Sequence, residues 1–240
     1  MGGESSEPIP GGTPARDIML LVLTCAAGLV DAISYLEMGH VFTAMMTGNS
    51  VLLALAIGQG EVMAALRSTL ALVAFSVGAA GAAMVLRRDR ARGEWPRVVT
   101  ATLALEALAL GVFAVMWQVK GPAPRVDALT LVLIALSGLA MGIQAAAVRH
   151  LGVPGVASTY ITGTLTSLMA ELVTGSASRH LRLLASVFLV YVGGALIGAV
   201  LQARSSSLLA WLPFVCVTAV VVTGLVLARS CGNPRPECRR

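Results

Sequence analysis

Six long apolar runs, separated by short patches that hold most of the charges, constrain this chain more than any other feature. Each run has about the twenty residues that a helix needs to cross the hydrocarbon of a bilayer. Only 12% of the 240 residues are charged, whereas a soluble domain carries about 25%. The pattern therefore predicts an all-α integral membrane protein. The runs are residues 18–38, 68–86, 98–119, 128–148, 183–202 and 208–228.

Two further apolar stretches, residues 39–58 and 152–174, are interrupted by polar side chains. The chain has eight spans if both cross the membrane, and six spans with two re-entrant segments if both enter and return. Cytoplasmic loops carry an excess of lysine and arginine. With a cytoplasmic N-terminus, eight spans place ten of the 17 basic residues inside, and six spans place thirteen inside. We therefore predict six transmembrane helices, two re-entrant segments and two cytoplasmic termini.

An internal repeat appears when the chain is shifted by 115 residues. Eleven identities then fall within 45 ungapped positions that begin at Leu36, and Thr47-Gly48 aligns with Thr162-Gly163. The first repeat covers about residues 17–119 and the second about residues 128–228. Each repeat has three crossings in the six-span arrangement, so the second repeat is inverted relative to the first, as in many transporters. Eight spans would instead give parallel repeats.

The repeated Thr-Gly pairs are the strongest local signal for a binding site. A glycine within an apolar stretch predicts a sharp turn of the backbone, and the polar residues after it predict the start of a new helix. Two such helix starts would present free N–H groups to a polar or anionic solute. The alternative interpretation is that threonine and glycine only pack helices closely. The candidate solute-binding residues are Asp31, Thr47, Gly48, Asn49, Thr162, Gly163 and Thr164.

Asp31 and Glu106 are carboxylates within apolar runs. Ionisable residues are costly in a membrane and are commonly functional there. Both are candidates for binding a proton or an ion that is coupled to transport. The alternative for Asp31 is a hydrogen bond to the backbone of a neighbouring helix, and Glu106 has the same alternative if it is protonated.

Helix packing is predicted from small residues that recur at a spacing of four. Ala74, Gly78 and Ala82 share one helix face, as do Gly194 and Gly198 in the second repeat. Faces of this kind allow close approach of helices in a membrane and require no ligand.

The sequence contains no nucleotide-binding loop, metal-ligand cluster or nucleophile motif. We expect no cofactor, no metal and no enzymatic activity. The net charge of +5 comes from basic residues in the loops that flank apolar runs, which is how orientation is encoded, so nucleic acid is not expected as a partner. Residues 1–16 are predicted to be a disordered tail and residues 229–240 a basic cytoplasmic tail.

Several short motifs occur in both halves of the chain. The first-half motifs are Gly28-Leu-Val-Asp31-Ala32, Ser34-Tyr35-Leu36, Val41-Phe42-Thr43-Ala44 and Met46-Thr47-Gly48-Asn49. The second-half motifs are Gly142-Ile-Gln144-Ala145, Arg149 and Thr159-Tyr160-Ile161-Thr162-Gly163-Thr164. With these motifs the chain resembles the YoaK-like family of bacterial inner-membrane proteins over about residues 17–228. The resemblance implies a location in the bacterial plasma membrane, and it implies no substrate and no catalytic residues.

Together these features predict a transporter or channel for a small solute of unknown identity. A non-transporting scaffold or accessory subunit is the alternative, because small-residue faces explain helix packing without a cavity. A membrane-embedded enzyme is the weakest of the three hypotheses, since no catalytic constellation is visible. The expected partners are the lipid bilayer and the solute, and a homo-oligomer is left open.

Overall fold

The computed structural model describes residues 13–87, 95–120, 127–156, 159, 161–175, 179–204 and 206–231. Within these ranges every regular element is an α-helix. In chain order they are α1 (Pro14–Glu37), α2 (Met46–Gln59), α3 (Val62–Leu86), α4 (Arg97–Lys120), α5 (Ala128–His150), α6 (Ile161–Val173), α7 (Arg179–Gln202), α8 (Ser206–Leu209) and α9 (Trp211–Cys231).

Six of these helices are long and apolar enough to cross a membrane, namely α1, α3, α4, α5, α7 and α9. The prediction of an all-α multi-pass membrane protein is therefore confirmed. Helix α1 already begins at Pro14 and α9 continues to Cys231, so both helices extend into the stretches predicted as tails. The rest of those tails, residues 1–12 and 232–240, lies outside the described residues.

The two interrupted stretches each form a turn followed by a short helix. Helices α2 and α6 have 14 and 13 residues, which corresponds to about 20 Å each. Both helices are too short to cross a membrane, which takes about 20 residues. We call residues 38–59 the first re-entrant segment and residues 151–173 the second, of which 157, 158 and 160 are outside the described residues.

The prediction of a sharp turn at the Thr-Gly pairs was wrong. Helix α2 begins at Met46 and α6 at Ile161, so both pairs lie in the first turn of a helix. The first segment turns instead at Gly39 and His40, with φ values of 84° and 61°. The second turns at two glycines, Gly152 and Gly155, with φ values of 64° and 66°. Positive φ favours glycine because it has no Cβ.

Helices α1 and α7 run parallel. Near their beginnings, Arg179 Nη2 lies 2.7 Å from Asp17 Oδ2. Near their ends, Gln202 Nε2 donates a hydrogen bond to Glu37 Oε1. Helices α3 and α5 are also parallel, because successive contacts move towards the C-terminus along both. Gly138 lies against Ala71, and Gly142 lies against Ala79.

Helices α4 and α9 run antiparallel. Arg97, at the start of α4, donates a hydrogen bond to the carbonyl of Ala228 near the end of α9. Gly111, further along α4, lies against Phe214 near the start of α9.

These directions are compatible with six crossings only. If α6 also crossed, the chain would reverse once more between α4 and α9, and those helices would be parallel. If α2 crossed alone, α1 and α7 would be antiparallel. The packing therefore favours the six-span arrangement over the eight-span arrangement, in agreement with the distribution of basic residues.

Glycines bring the two halves of the chain into backbone contact. A Cβ on Gly28 would lie 2.3 Å from the carbonyl oxygen of Tyr191, and one on Gly142 would lie 2.1 Å from that of Phe75. Gly78 and Gly194 approach the backbone of Leu139 and Cys25 in the same way. Only glycine permits such close helix crossings, so the predicted role of the small-residue faces in packing is confirmed at Gly78 and Gly194.

The outer surface is apolar, as a protein in contact with lipid requires. Helix α9 is 22% buried within its most apolar stretch and α3 is 28% buried, whereas α1 is 67% buried. Helices α1, α4 and α5 therefore form the centre of the molecule, and α3, α7 and α9 have the most lipid-facing surface.

Candidate functional site: the two re-entrant segments

Asp31 fixes the first re-entrant segment to the rest of the protein. The residue is 3% exposed. Its Oδ1 accepts hydrogen bonds from the backbone N–H of Thr43 at 2.8 Å and of Ala44 at 2.7 Å. Its Oδ2 accepts a hydrogen bond from the hydroxyl of Tyr191 on α7 at 2.5 Å. One carboxylate thus satisfies two backbone donors that have no helical partner, and it joins both halves of the chain.

The same contacts show that this segment folds back alongside α1. Asp31 lies six residues before Glu37, where α1 ends, which corresponds to about 9 Å along the helix axis. Thr43 and Ala44, which follow the end of α1, lie beside Asp31. The chain therefore returns towards the centre of the molecule before α2 begins, which is the geometry predicted for a re-entrant segment.

Asn49 holds the turn from the other side. It is fully buried in the first turns of α2. Its Oδ1 accepts a hydrogen bond from the N–H of Phe42 at 2.9 Å, and its Nδ2 donates one to the carbonyl of Phe42 at 2.5 Å. The predicted polar residue at a helix start is present, but it satisfies the preceding loop and not the N–H groups of its own helix. Those donors at the start of α2 have no side-chain cap.

Thr164 has the equivalent position in the second re-entrant segment. It is fully buried, and its hydroxyl donates a hydrogen bond to the carbonyl of Gly155 at 2.9 Å. A Cβ on Gly155 would lie 3.2 Å from Leu184, which is five residues into α7. This turn therefore also lies alongside a transmembrane helix rather than beyond its end.

The Thr-Gly pairs have matching environments in the two segments. Thr47 and Thr162 are exposed, Gly48 and Gly163 are half-buried, and the residues that follow them, Asn49 and Thr164, are buried. Gly48 has a packing role, because a Cβ there would lie 3.0 Å from the ring of Phe42.

The structure brings the predicted site residues together in two groups. Asp31 and Asn49 hold the same turn from two sides, and α2 packs on α3. Thr162, Gly163 and Thr164 belong to α6, which packs on α7. The hydrogen bonds of Asp31, Asn49 and Thr164 among the described residues do not connect one group with the other.

Glu106 lies apart from both groups, on α4. It is fully buried. In the part of the chain that the structure describes, neither of its carboxylate oxygens has a hydrogen-bond partner. Asp31 and Glu106, which the sequence presents as equivalent candidates, therefore differ in that the first has three donors and the second has none.

Tyr191 is the residue that the sequence analysis missed. It lies on α7, 160 positions from its partner Asp31. A tyrosine within an apolar run is a weak signal in itself, because its ring also fits lipid or core. A buried hydroxyl does require a partner, and the search for one would have led to the buried acids.

Comparison with known proteins places the chain in a family. The family model described as "Protein of unknown function (DUF1275)" matches residues 19–223, which extend from α1 into α9. The chain belongs to this family. It is also 36% identical over 217 residues to the UPF0700 transmembrane protein YoaK of Bacillus subtilis (strain 168), covering 87% of this chain and 93% of that protein. The predicted YoaK-like resemblance is confirmed. No solved structure matches the chain.

Proposed function

We propose that this multi-pass membrane protein is a transporter or channel for a small solute in the bacterial plasma membrane. The observation that carries the proposal is the pair of matching re-entrant segments. Each has a turn alongside a transmembrane helix, a short helix, and a Thr-Gly pair followed by a buried polar residue that holds the turn. Interrupted helices of this kind line solute pathways in many transporters.

We further propose that the two halves are inverted repeats. Helices α1 to α4 and α5, α6, α7 and α9 follow the same order of one long, one short and two long helices. Gly28 against α7 and Gly142 against α3 are equivalent contacts in this scheme. Three crossings in each half would give the halves opposite orientations, so their re-entrant segments would enter from opposite faces of the membrane.

Both termini are proposed to be cytoplasmic. The six-crossing arrangement places seven described basic residues on the face where α1 begins and three on the other face, and cytoplasmic faces carry the excess. The seven are Arg16, Arg87, Arg97, Arg149, Arg179, Arg182 and Arg229, and the three are Arg67, Lys120 and Arg204.

In this proposal the exposed Thr47 and Thr162 line the two entrances to the pathway. Gly48 and Gly163 allow the backbone of each short helix to approach the solute, and Asn49 and Thr164 keep each entrance in shape. Asp31 positions the first entrance through Thr43 and Ala44.

Cysteine accessibility tests the two entrances directly. Thr47→Cys and Thr162→Cys are introduced singly into a variant without native cysteines, and intact cells are treated with a small hydrophilic thiol reagent. We expect Thr47→Cys to react from outside, and Thr162→Cys only after permeabilisation. Leu55→Cys, which is 54% exposed on α2, is the matched control that faces lipid and stays unreactive. If both threonine variants are as unreactive as Leu55→Cys, the proposed pathway is wrong.

Transport itself is tested in proteoliposomes. Light scattering after an osmotic step with glycerol, urea or sodium acetate reports whether the purified protein increases permeability. Asn49→Ala should lower any increase because it removes both hydrogen bonds that hold the first turn. A permeability that exceeds that of empty vesicles for none of these solutes, together with silent cysteines, would favour the scaffold hypothesis.

The scaffold is the second candidate, because the backbone contacts at Gly28 and Gly142 fix the two halves closely together. A rigid protein of this kind would present its apolar outer faces to another membrane subunit. Purification with a stoichiometric partner would support this function, and association with a further copy of the chain stays a prediction.

A further inference from the structure

We infer that Glu106 is the proton-binding residue of this protein, in a fully buried site on α4. The inference deepens the proposed function and depends on it for a physiological role, since it names the coupling ion. The site itself is a property of the protein and can be tested without a transported solute.

The first observation is that a buried carboxyl group lacks partners. Both carboxylate oxygens of Glu106 are inaccessible to solvent and have no hydrogen-bond partner among the described residues. Buried polar atoms are almost always paired in folded proteins. The unpaired carboxyl group of Glu106 therefore needs an explanation, and a bound proton that neutralises it is one.

The second observation is that the face of α4 that carries Glu106 is apolar and fully buried. Leu103 and Leu110 lie about one turn before and one turn after Glu106, and both are 0% exposed. Val99 and Phe113 continue this face and are equally buried. The surroundings of Glu106 on its own helix are therefore unsuited to a charge.

The third observation is that no cation among the described residues is placed to balance a negative charge at Glu106. Helix α4 packs against α3, α5 and α9. The nearest basic residue on α4 itself, Arg97, is nine positions away, or about 14 Å along the axis. The basic residues of the three neighbouring helices lie towards the helix ends. The titratable group between these ends is the thiol of Cys216 on α9, which contacts the thiol of Cys25 on α1. These groups are Arg67, Arg149, His150, Arg229 and Cys216.

A buried carboxylate without a cation is strongly disfavoured, whereas a neutral carboxylic acid is tolerated. The proton fits the site better than a metal ion does. Calcium takes six to eight oxygen ligands and magnesium takes six, but Glu106 offers two carboxylate oxygens. Asp31 is unsuited to the same role because its oxygens already accept three hydrogen bonds.

Infrared spectroscopy of the reconstituted protein tests the inference. We expect the C=O stretching band of a protonated carboxyl group at neutral pH. The band should disappear in Glu106→Gln and remain in Asp31→Asn, which is the matched control.

A measurement on the unaltered protein keeps the test independent of the folding of any variant. Dicyclohexylcarbodiimide modifies protonated carboxyl groups in apolar surroundings, and mass spectrometry should locate the adduct on Glu106. A band that persists in Glu106→Gln together with no adduct on Glu106 overturns the inference, while the transport proposal still stands on its own tests.

Discussion

The two re-entrant segments are alike in course but differ in how they are held. In the first, Asp31 and Asn49 together make five hydrogen bonds to Phe42, Thr43, Ala44 and Tyr191. In the second, Thr164 makes one described bond to Gly155. The first segment is therefore fixed by a buried network, whereas the described part of the second is held by one neutral side-chain hydrogen bond from Thr164.

The glycine contacts indicate what takes the place of the acid in the second half. In the proposed repeat Gly28 and Gly142 are equivalent, as are the residues they contact, Tyr191 and Phe75. The same alignment of α1 with α5 places Ala145 at the position of Asp31. The carboxylate and the phenolic hydroxyl are thus both missing from the second crossing, between α5 and α3. This is physically consistent, because either group alone would be buried without a partner.

The largest expected effect comes from Asp31→Ala. The substitution leaves two backbone N–H groups and the hydroxyl of Tyr191 without an acceptor, at about 1 to 3 kcal/mol each. We expect the free energy of unfolding to fall by about 3 to 6 kcal/mol, measured by titrating the purified protein with sodium dodecyl sulfate in mixed micelles. Asp31→Asn is the control, because it keeps an oxygen for Thr43 and Ala44 and should lose much less. Equal losses in the two variants would show that the network does not hold the segment.

Gly28→Ala and Gly142→Ala test the two helix crossings that are equivalent in the proposed repeat, α1 with α7 and α5 with α3. Each new Cβ would lie within 2.3 Å of a carbonyl oxygen on the facing helix, so the helices must separate. We expect each variant to lower the free energy of unfolding by about 2 to 3 kcal/mol, to a similar extent.

The matched controls for this pair are Gly81→Ala and Gly193→Ala. A Cβ at either position has no neighbour within 4 Å, so both variants should match or slightly exceed the stability of the parent. A large difference between Gly28→Ala and Gly142→Ala would contradict the equivalence of the two crossings.

Asn49→Ala and Thr164→Val compare the two turns directly. The first removes both bonds to Phe42 and should cost about 2 kcal/mol, and the second removes one neutral bond at nearly constant shape and should cost about 1 kcal/mol. Hydrogen exchange, followed by mass spectrometry, should show faster exchange confined to the affected segment in each case. The comparison fails if Thr164→Val is the more damaging substitution.

Tyr191→Phe has the smallest expected effect. It removes one donor to Asp31, which keeps its two backbone partners, so the loss should be about 1 kcal/mol. In a background that contains Asp31→Ala the same substitution should cost almost nothing, because the hydroxyl no longer has a partner. A double-mutant cycle measures this coupling. Additive losses would show that Tyr191 stabilises the protein through contacts other than its hydrogen bond to Asp31.

Much of the architecture follows from local sequence. Long apolar runs specify transmembrane helices because the backbone must satisfy its own hydrogen bonds in lipid. The six spans, the two interrupted stretches and the small-residue faces could therefore be recognised without a structure. The positions of the turns could not be recognised in this way. Gly39 and Gly48 are both glycines near a polar stretch, and only the tertiary contacts of the segment decide that Gly39 adopts a positive φ.

The distinction between the two buried acids belongs to tertiary structure alone. In sequence, Asp31 and Glu106 are each a carboxylate within an apolar run, and each carries the same cost of burial. Donors supplied by a loop twelve residues away and by a helix 160 residues away make Asp31 a structural anchor, while Glu106 has no donor among the described residues. The sequence determines that a charge is buried, because composition is local, but its partners are set by how distant helices cross.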